Sequence, residues 1–150
     1  MGVVQPVVII TGATSGIGRG LAQRYAQDGW RLGLLARREP LLNALKQQLQ
    51  TEHGVDVSVH ACDVGNEDAN TNAVKAIIEQ FGRVDCVIAN AGVSLLTSTH
   101  SPDIDAVKET IDTNLMGVIY SVYAALPTMK AQQLGHCVAI SSLAGYRGLP

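Results

Sequence analysis

The sequence has no excess of positively charged residues. Its 11 lysines and arginines are outnumbered by 13 aspartates and glutamates, which leaves a formal net charge of −2 at pH 7. Proteins that hold nucleic acid or an anionic membrane surface normally carry a surplus of basic residues. We therefore expect no nucleic-acid partner and no membrane partner, and a small neutral or modestly charged molecule instead.

Signals for secretion or membrane insertion are also lacking. The first six residues carry no cationic segment ahead of the apolar run, and that run ends at Thr11 and Gly12. Such a run is too short for a membrane span and has the wrong flank for a signal peptide. Pro6 stands where an N-myristoylation motif requires serine or threonine. These features predict a cytoplasmic protein.

Cysteine and histidine patterns that would hold a metal or form disulfides are absent. The three cysteines show no C-x-x-C spacing, and each lies at or beside a predicted strand, so we predict buried, reduced thiols. The four histidines show no metal-ligand spacing, and no metal site is predicted. These residues are Cys62, Cys86 and Cys137, and His53, His60, His100 and His136.

Short apolar runs and helical stripes alternate along the chain, 47% of which is hydrophobic. Strands are indicated by the continuous runs, and helices by apolar residues three and four positions apart. The predicted strands are 7–11, 31–36, 56–61, 84–89 and 137–141, and the predicted helices cover 16–28, 41–49, 73–81 and 102–133. The last helix should be capped by Ser101, start at Pro102 and kink at Pro127.

The alternating order of these elements is typical of an α/β fold with a doubly wound parallel sheet. A length of 150 residues suits one domain, residues 1–150. The last strand is apolar enough for a central position, and the stripe from Ile104 to Val118 and the region of Met129 have no helix to cover them. We therefore expect about five strands of a larger sheet, in a domain that is incomplete at its C-terminus.

Glycines and polar residues follow every predicted strand. In a parallel sheet these positions share one edge, where open α/β sheets bind ligands. They are residues 11–18, Arg37 and Arg38, Asp63, residues 90–92, and Ser141 and Ser142. The G-x-x-x-G-x-G spacing in 11–18 lets the backbone approach a pyrophosphate at a helix N-terminus. This edge is predicted to bind a nucleotide, with a tight turn without ligand as the alternative for the glycine segment.

Five segments in the same order resemble the short-chain dehydrogenase/reductase family. Residues 11–18 resemble its cofactor signature, and Asp63 with Val64 resembles its adenine-contacting Asp-Val pair. Residues 89–92 resemble its Asn-Asn-Ala-Gly motif, although Ala89 replaces the first asparagine. Asn114 matches the helix asparagine of the family's catalytic tetrad, and residues 140–145 match its serine segment. The resemblance extends over essentially the whole chain and implies the N-terminal portion of such an enzyme, with a Rossmann fold.

That resemblance implies an NAD(P)-dependent oxidoreductase that moves a hydride between nicotinamide and a carbonyl or secondary alcohol. Ser142 would hydrogen-bond the substrate oxygen, and Asn114 would support the proton path. Ser142 is preferred to Ser141 because it stands three residues before Gly145. A homo-oligomer, dimer or tetramer, is implied for the full-length form. The implied cofactor contacts are Gly12, Thr14, Ser15, Gly16, Ile17, Gly18, Arg37, Arg38, Asp63, Val64, Asn90, Ala91 and Gly92.

The resemblance also places the catalytic tyrosine and lysine beyond residue 150. Tyr146 does not fit the family pattern Tyr-x-x-x-Lys, because Pro150 occupies the position of the lysine. Loss of a general acid typically costs on the order of 10² to 10⁴ in rate. We therefore expect the 150-residue chain to bind cofactor without useful turnover.

NADP is the expected cofactor, with NAD as the alternative. Position 36, where NAD-specific members of the family carry aspartate, is alanine, and Arg37 and Arg38 follow it. Arginine binds a 2′-phosphate bidentately, whereas a carboxylate repels it. Glu39 opposes this interpretation, unless it opens the next helix ahead of Pro40.

Other interpretations of individual residues stay open. Asp63 is alternatively a cap of the next turn, Asn90 a turn residue with left-handed dihedrals, and Asn114 a solvated polar position. For the whole chain, the alternative is a nucleotide-binding module without catalytic activity. A methyltransferase with a Rossmann fold is disfavoured, because it leaves the segments of Asn90 and Ser142 without a role.

Overall fold

Five strands alternate with helices in the computed structural model, which describes residues 5–95, 97–98 and 100–143. The strands are β1 (Val7–Thr11), β2 (Arg31–Ala36), β3 (Val57–Ala61), β4 (Cys86–Ala89) and β5 (His136–Ala139). The helices are α1 (Gly16–Gln27), α2 (Glu39–His53), α3 (Glu67–Phe81), α4 (Ile104–Ile111) and α5 (Gly117–Gln132), with a π-helical turn (Asp112–Met116) between the last two.

All five strands are parallel and lie in the order β3-β2-β1-β4-β5. The chain leaves the centre of the sheet at β1, builds outward through β2 and β3, and returns to the other side of β1 with β4. The reversal places a crevice beside the carboxyl end of β1, where open sheets of this kind bind ligands. The predicted doubly wound α/β fold is confirmed.

Side chains alternate between the two faces of the sheet and build one core on each face. Val8 and Ile10 pack with apolar residues of α1 and α2, whereas Ile9 packs with residues of α3 and α5. Every residue of β1 is buried, as expected for a strand with helices on both sides. The continuous apolar run at 7–11 is thus explained by burial on two faces.

The two strands after β3 start at different residues from those predicted. Val84 was expected to open β4, but its backbone N–H donates to Gln132 Oε1 at 3.0 Å, and its carbonyl accepts from Gln132 Nε2 at 2.8 Å. A side chain of α5 thus takes the groups that would pair with another strand. β5 starts one residue early, because His136 N–H donates to the carbonyl of Asp85 at 2.9 Å.

The predicted long helix is interrupted, and its cap was predicted at the wrong residue. Asp103, not Ser101, caps α4, since its Oδ1 accepts from the N–H groups of Asp105 at 3.0 Å and Ala106 at 3.1 Å. The π-helical turn then separates α4 from α5. Pro127 lies inside α5, which continues to Gln132.

Exposure along the last helices and strand differs in part from the prediction. Ile104, Ile111 and Leu115 are exposed as predicted, but Met129 is buried at 6% exposure and its prediction as a solvent-facing residue was wrong. The chain turns back after α5 and brings Gly135 and Cys137 over Met129. Cys137 itself is exposed, because β5 is an edge strand, so the prediction of three buried thiols is wrong at this residue. The prediction is confirmed for Cys86, whereas Cys62 is half-buried.

Candidate functional site

A cleft of about 360 Å³ lies at the carboxyl edge of the sheet. It has the size and position of a small-molecule site in an open α/β sheet. Most of the predicted cofactor residues line it, together with four residues that were not singled out as contacts: Ala36, Cys62, Val93 and Thr113. The predicted contacts in the wall are Gly12, Thr14, Ser15, Arg37, Arg38, Asp63, Val64, Asn90, Ala91 and Gly92.

Three predicted contacts, Gly16, Ile17 and Gly18, lie in the first turn of α1 and not in this wall. Gly16 has a φ of +52°, and a Cβ added there would meet no atom within 4 Å. Ile17 is 62% exposed. Gly18 is buried, and a Cβ there would collide with the carbonyl oxygen of Gly12. Gly16 therefore leaves open space at the helix start, whereas Gly18 allows α1 to pack against the loop.

The N-terminus of α1 has unfilled capacity for an anion. The first N–H groups of a helix lack intrahelical partners and carry partial positive charge. Ser15 makes no side-chain capping bond, and the first turn of α1 holds no acidic residue. By contrast, the Asn66 side chain caps α3, and that helix has two acidic residues in its first turn. The start of α1 therefore suits a phosphate group, as a nucleotide-binding site requires.

Thr11 joins the end of β1 to the segment after β4. Its buried Oγ1 accepts from the N–H groups of Asn90 and Ala91, both at 2.9 Å. The side chain of Asn90 donates back to the carbonyl of Thr11 at 3.0 Å. Thr11 thus positions the predicted residues Asn90 and Ala91, although no role was predicted for this first residue of the glycine segment. A polar residue at the end of an otherwise apolar strand was the sequence signal that could have identified this role.

Asn90 does not have the left-handed backbone that its alternative interpretation required. Among the described residues other than glycine, positive φ occurs at Gln133. The amide of Asn90 is instead within hydrogen-bonding distance of two carbonyls of the glycine loop, Thr11 at 3.0 Å and Gly12 at 3.4 Å. The side chain therefore holds the two segments of the cleft wall together.

The two arginines after β2 point to different partners. Arg38 Nη2 donates to Thr14 Oγ1 at 3.1 Å and lies 3.2 Å from Ser15 Oγ. Arg37 Nη1 lies 3.4 Å from Glu109 Oε1 of α4. Glu39 is the first residue of α2, with Pro40 next to it. Glu39 therefore opens the helix as predicted, at a position where the helix N-terminus stabilises a carboxylate.

A cluster of buried polar side chains positions the segment after β3. Asn70 of α3 is fully buried, and its Nδ2 donates to the carbonyls of Val64 at 2.9 Å and Gly117 at 3.0 Å. Ser121 Oγ lies 3.0 Å from Asn70 Oδ1. Asp63 Oδ1 accepts from Gly65 N–H at 3.0 Å, so Asp63 both caps a turn and lines the cleft.

Asn114 lies in the π-helical turn, close to the segment after β4. Its Oδ1 accepts from Val93 N–H, and its Nδ2 donates to the Val93 carbonyl, both at 2.8 Å. Asn114 is exposed, but it is not merely a solvated polar residue, because both ends of its amide are engaged. It positions Val93, which lines the cleft beside Gly92.

Cys62 lines the cleft and has a strongly raised pKa. Burial, with a smaller contribution from the nearby Asp63 carboxylate, raises the pKa of Cys62 to about 11. The thiol is therefore protonated at neutral pH and is a weak nucleophile. Within the described ranges, no group of three or more His, Cys, Asp or Glu residues is arranged to hold a metal ion.

Residues 6–150 match the family described as short chain dehydrogenase. The chain belongs to the short-chain dehydrogenase family. An uncharacterized oxidoreductase of Myxococcus xanthus is 41% identical over 141 residues, which are 94% of this chain and 55% of that protein. The chain thus spans little more than half the length of this curated relative.

Solved structures share the fold closely. The alcohol dehydrogenase of the archaeon Thermococcus sibiricus, in complex with 5-hydroxy-NADP, superposes with a TM-score of 0.92 and 34% identity, over 97% of this chain and 62% of that one. An NAD⁺-bound xylitol dehydrogenase gives a TM-score of 0.90 and 27% identity, over 99% of this chain and 58% of that one. The short-chain dehydrogenase fold is therefore shown, and these two relatives carry different cofactors.

The serine segment is described only at its start. Ser141 and Ser142 follow β5 and are exposed. The choice of Ser142 rests on Gly145, and the rejection of Tyr146 rests on Tyr146 itself. Both residues lie outside the described residues.

None of the helices in the described ranges is long and apolar enough to span a membrane.

Proposed function

We propose that the protein is a nicotinamide-dependent oxidoreductase that transfers a hydride between its cofactor and a carbonyl or secondary alcohol carbon. Membership of the short-chain dehydrogenase family supports the reaction class. The observation that carries the cofactor assignment is the start of α1, which is uncapped, free of acidic residues and next to the cleft. A helix N-terminus of this kind binds a pyrophosphate through its N–H groups.

The cofactor, when bound, supplies the hydride, and the residues of this chain bind and orient the reactants. Gly16 leaves room at the helix start, while Asp63 and Val64 form the wall at the end of β3. Asn114 fixes Val93 on the opposite wall through two hydrogen bonds. A carbonyl that accepts hydride gains negative charge on its oxygen, and the hydroxyl of Ser142 is proposed to donate a hydrogen bond to that oxygen.

NADP(H) is the proposed preferred cofactor. Ala36 places no carboxylate at the end of β2, and Arg37 and Arg38 line the cleft beside it. Ser15 is not basic, so the positive charge at this end of the cleft comes from the two arginines. A 2′-phosphate forms strong charge-assisted hydrogen bonds with arginine, whereas a neutral ribose hydroxyl forms weaker ones.

Cofactor preference is tested by Ala36→Asp. The protein should bind NADPH more tightly than NADH in a fluorescence titration, and Ala36→Asp should reverse that order, because the new carboxylate repels the phosphate and accepts hydrogen bonds from the ribose. Tighter binding of NADH than NADPH by the unchanged protein would contradict the role given to Arg37 and Arg38.

The binding site itself is tested by Gly16→Val with Gly29→Val as the matched control. Both glycines have positive φ, +52° and +77°, and a Cβ at either meets no atom within 4 Å. Both variants should therefore lose a similar amount of stability, at least about 1–2 kcal/mol. Gly16→Val should also abolish NADPH binding, because its side chain occupies the phosphate approach, whereas Gly29→Val should bind as before. Equal nucleotide affinity in the two folded variants would refute the assignment.

A further inference from the structure

The ion pair between Arg37 and Glu109 connects the cofactor cleft to α4. Arg37 follows β2 and lines the cleft, whereas Glu109 belongs to α4, which begins well after β4 ends. Their closest atoms, Arg37 Nη1 and Glu109 Oε1, are 3.4 Å apart, and both side chains are about half exposed. The contact therefore places a carboxylate from a distant segment against an arginine of the proposed phosphate site.

Arg37 and Arg38 are not equivalent in this respect. Arg38 is oriented by two hydroxyl groups of the glycine loop, which are neutral and do not cancel its charge. Arg37 faces a full negative charge. A phosphate that binds to Arg37 through Nη1 must replace the contact with Glu109, and a phosphate that binds through Nε and Nη2 must still approach the same carboxylate.

We propose that Glu109 is a specificity-determining residue, which competes with the 2′-phosphate of the cofactor for Arg37 and so limits the preference for NADP(H). This inference rests on the proposed function. A cofactor without the 2′-phosphate leaves the ion pair in place and does not meet this competition. The residue acts through Arg37 and is a positioning residue, not a catalytic one.

Three other acidic residues, at the start of α2, in the cleft wall and on α4, have different surroundings. Glu39 begins α2, where the helix N-terminus stabilises its charge. Asp63 accepts a hydrogen bond from Gly65 N–H at 3.0 Å. Asp105, one turn before Glu109 on α4, lies 3.5 Å from Lys108. Of these carboxylates, the Glu109 group is the one that forms an ion pair with a cleft arginine.

The expected effect is modest because both side chains are half exposed and water screens their interaction. Exposed ion pairs contribute little, so Glu109→Gln should tighten binding of a 2′-phosphorylated ligand by about two- to fivefold at low salt. Affinity for the ligand without that phosphate should stay unchanged. The gain should shrink as the salt concentration rises.

The test compares adenosine 2′,5′-bisphosphate with 5′-AMP by isothermal titration calorimetry on the purified protein and two variants. These ligands differ only in the 2′-phosphate. Glu109→Gln should increase the ratio of their affinities, whereas Asp105→Asn should not, although it removes the same charge from the same helix. In an Arg37→Met background the effect of Glu109→Gln should largely disappear.

The outcomes separate the inference from the function on which it rests. An unchanged or lower affinity ratio in Glu109→Gln, with both ligands still bound by the original protein, overturns the role of Glu109 alone. An equal increase in Asp105→Asn overturns it as well, because the effect is then one of net charge. If the original protein binds neither ligand and no nicotinamide dinucleotide, the proposed function fails together with the inference.

Discussion

Replacing Thr11 by valine tests whether a single hydroxyl organises the cleft. Valine has nearly the same shape, so the buried position stays filled, but the Oγ1 acceptor is lost. The N–H groups of Asn90 and Ala91, each 2.9 Å from Oγ1, then have no acceptor at this position. The segment after β4 should lose its attachment to the glycine loop.

The magnitude follows from the cost of unpaired donors. A buried N–H without a partner costs about 1–3 kcal/mol. These two donors are partly buried, so we expect Thr11→Val to lower the free energy of unfolding by about 2–4 kcal/mol in total. With a urea m-value of about 2 kcal/mol per molar, the middle of the usual range for small proteins, the midpoint should fall by roughly 1–2 M. That is a large fraction of the stability of a typical domain.

Thr11→Ser is the matched control, because serine keeps the hydroxyl and loses a methyl group. Burial of one such group contributes about 0.8 kcal/mol, so the serine variant should be the more stable of the two. Urea unfolding followed by circular dichroism gives both values, and NADPH titration of the folded variants should show weaker binding for valine only. If Thr11→Val proves as stable as the original protein, or more stable than Thr11→Ser, the role given to this hydroxyl is wrong.

Two further predictions concern titratable groups. Given the pKa of about 11 for Cys62, about one of these thiols in a thousand is ionised at pH 8. Iodoacetamide should therefore label Cys62 far more slowly than a free cysteine, and the labelling rate should rise about tenfold per pH unit. Rapid labelling at pH 8, measured by peptide mass spectrometry, would contradict this prediction. Burial raises the pKa of Asp85, but hydrogen bonds from Arg83 and from Val7 N–H outweigh it and leave that pKa below its usual value. A lowered folded-state pKa means that the stabilisation is present above the unfolded value near 3.9 and is lost as the pH falls through the folded value. Asp85→Asn should therefore lower the free energy of unfolding by about 1–3 kcal/mol at pH 7 and by less near pH 3, as measured in urea; the same difference at both pH values would refute the assignment.

Most of the fold followed from local patterns. The run 7–11 and the glycine spacing after it predicted β1 and the start of α1, and both are confirmed. Glu39 was expected to open a helix ahead of Pro40, and it does. These signals are local, because burial on two faces selects a continuous apolar strand and a strand-to-helix turn selects glycine.

Predictions failed where a distant segment decided the result. Val84 was assigned to β4, but the Gln132 side chain takes its backbone groups. Met129 was expected to face water, but the chain after α5 covers it. The long helix was expected to be one element with a kink at Pro127, and the π-helical turn that carries Asn114 had no signal in the spacing of apolar residues.

By itself, the sequence determined which residues gather at one edge of the sheet, because parallel strands must present their carboxyl ends together. It also determined the glycine turn at the start of α1, whereas the absence of a capping bond from Ser15 was visible only in the structure. Only the tertiary structure decided which of these side chains touch: Thr11 with Asn90, Asn114 with Val93, and Arg37 with Glu109. Such contacts join residues that are 21 to 79 positions apart. They depend on how helices and strands pack in three dimensions, and no local periodicity records that packing.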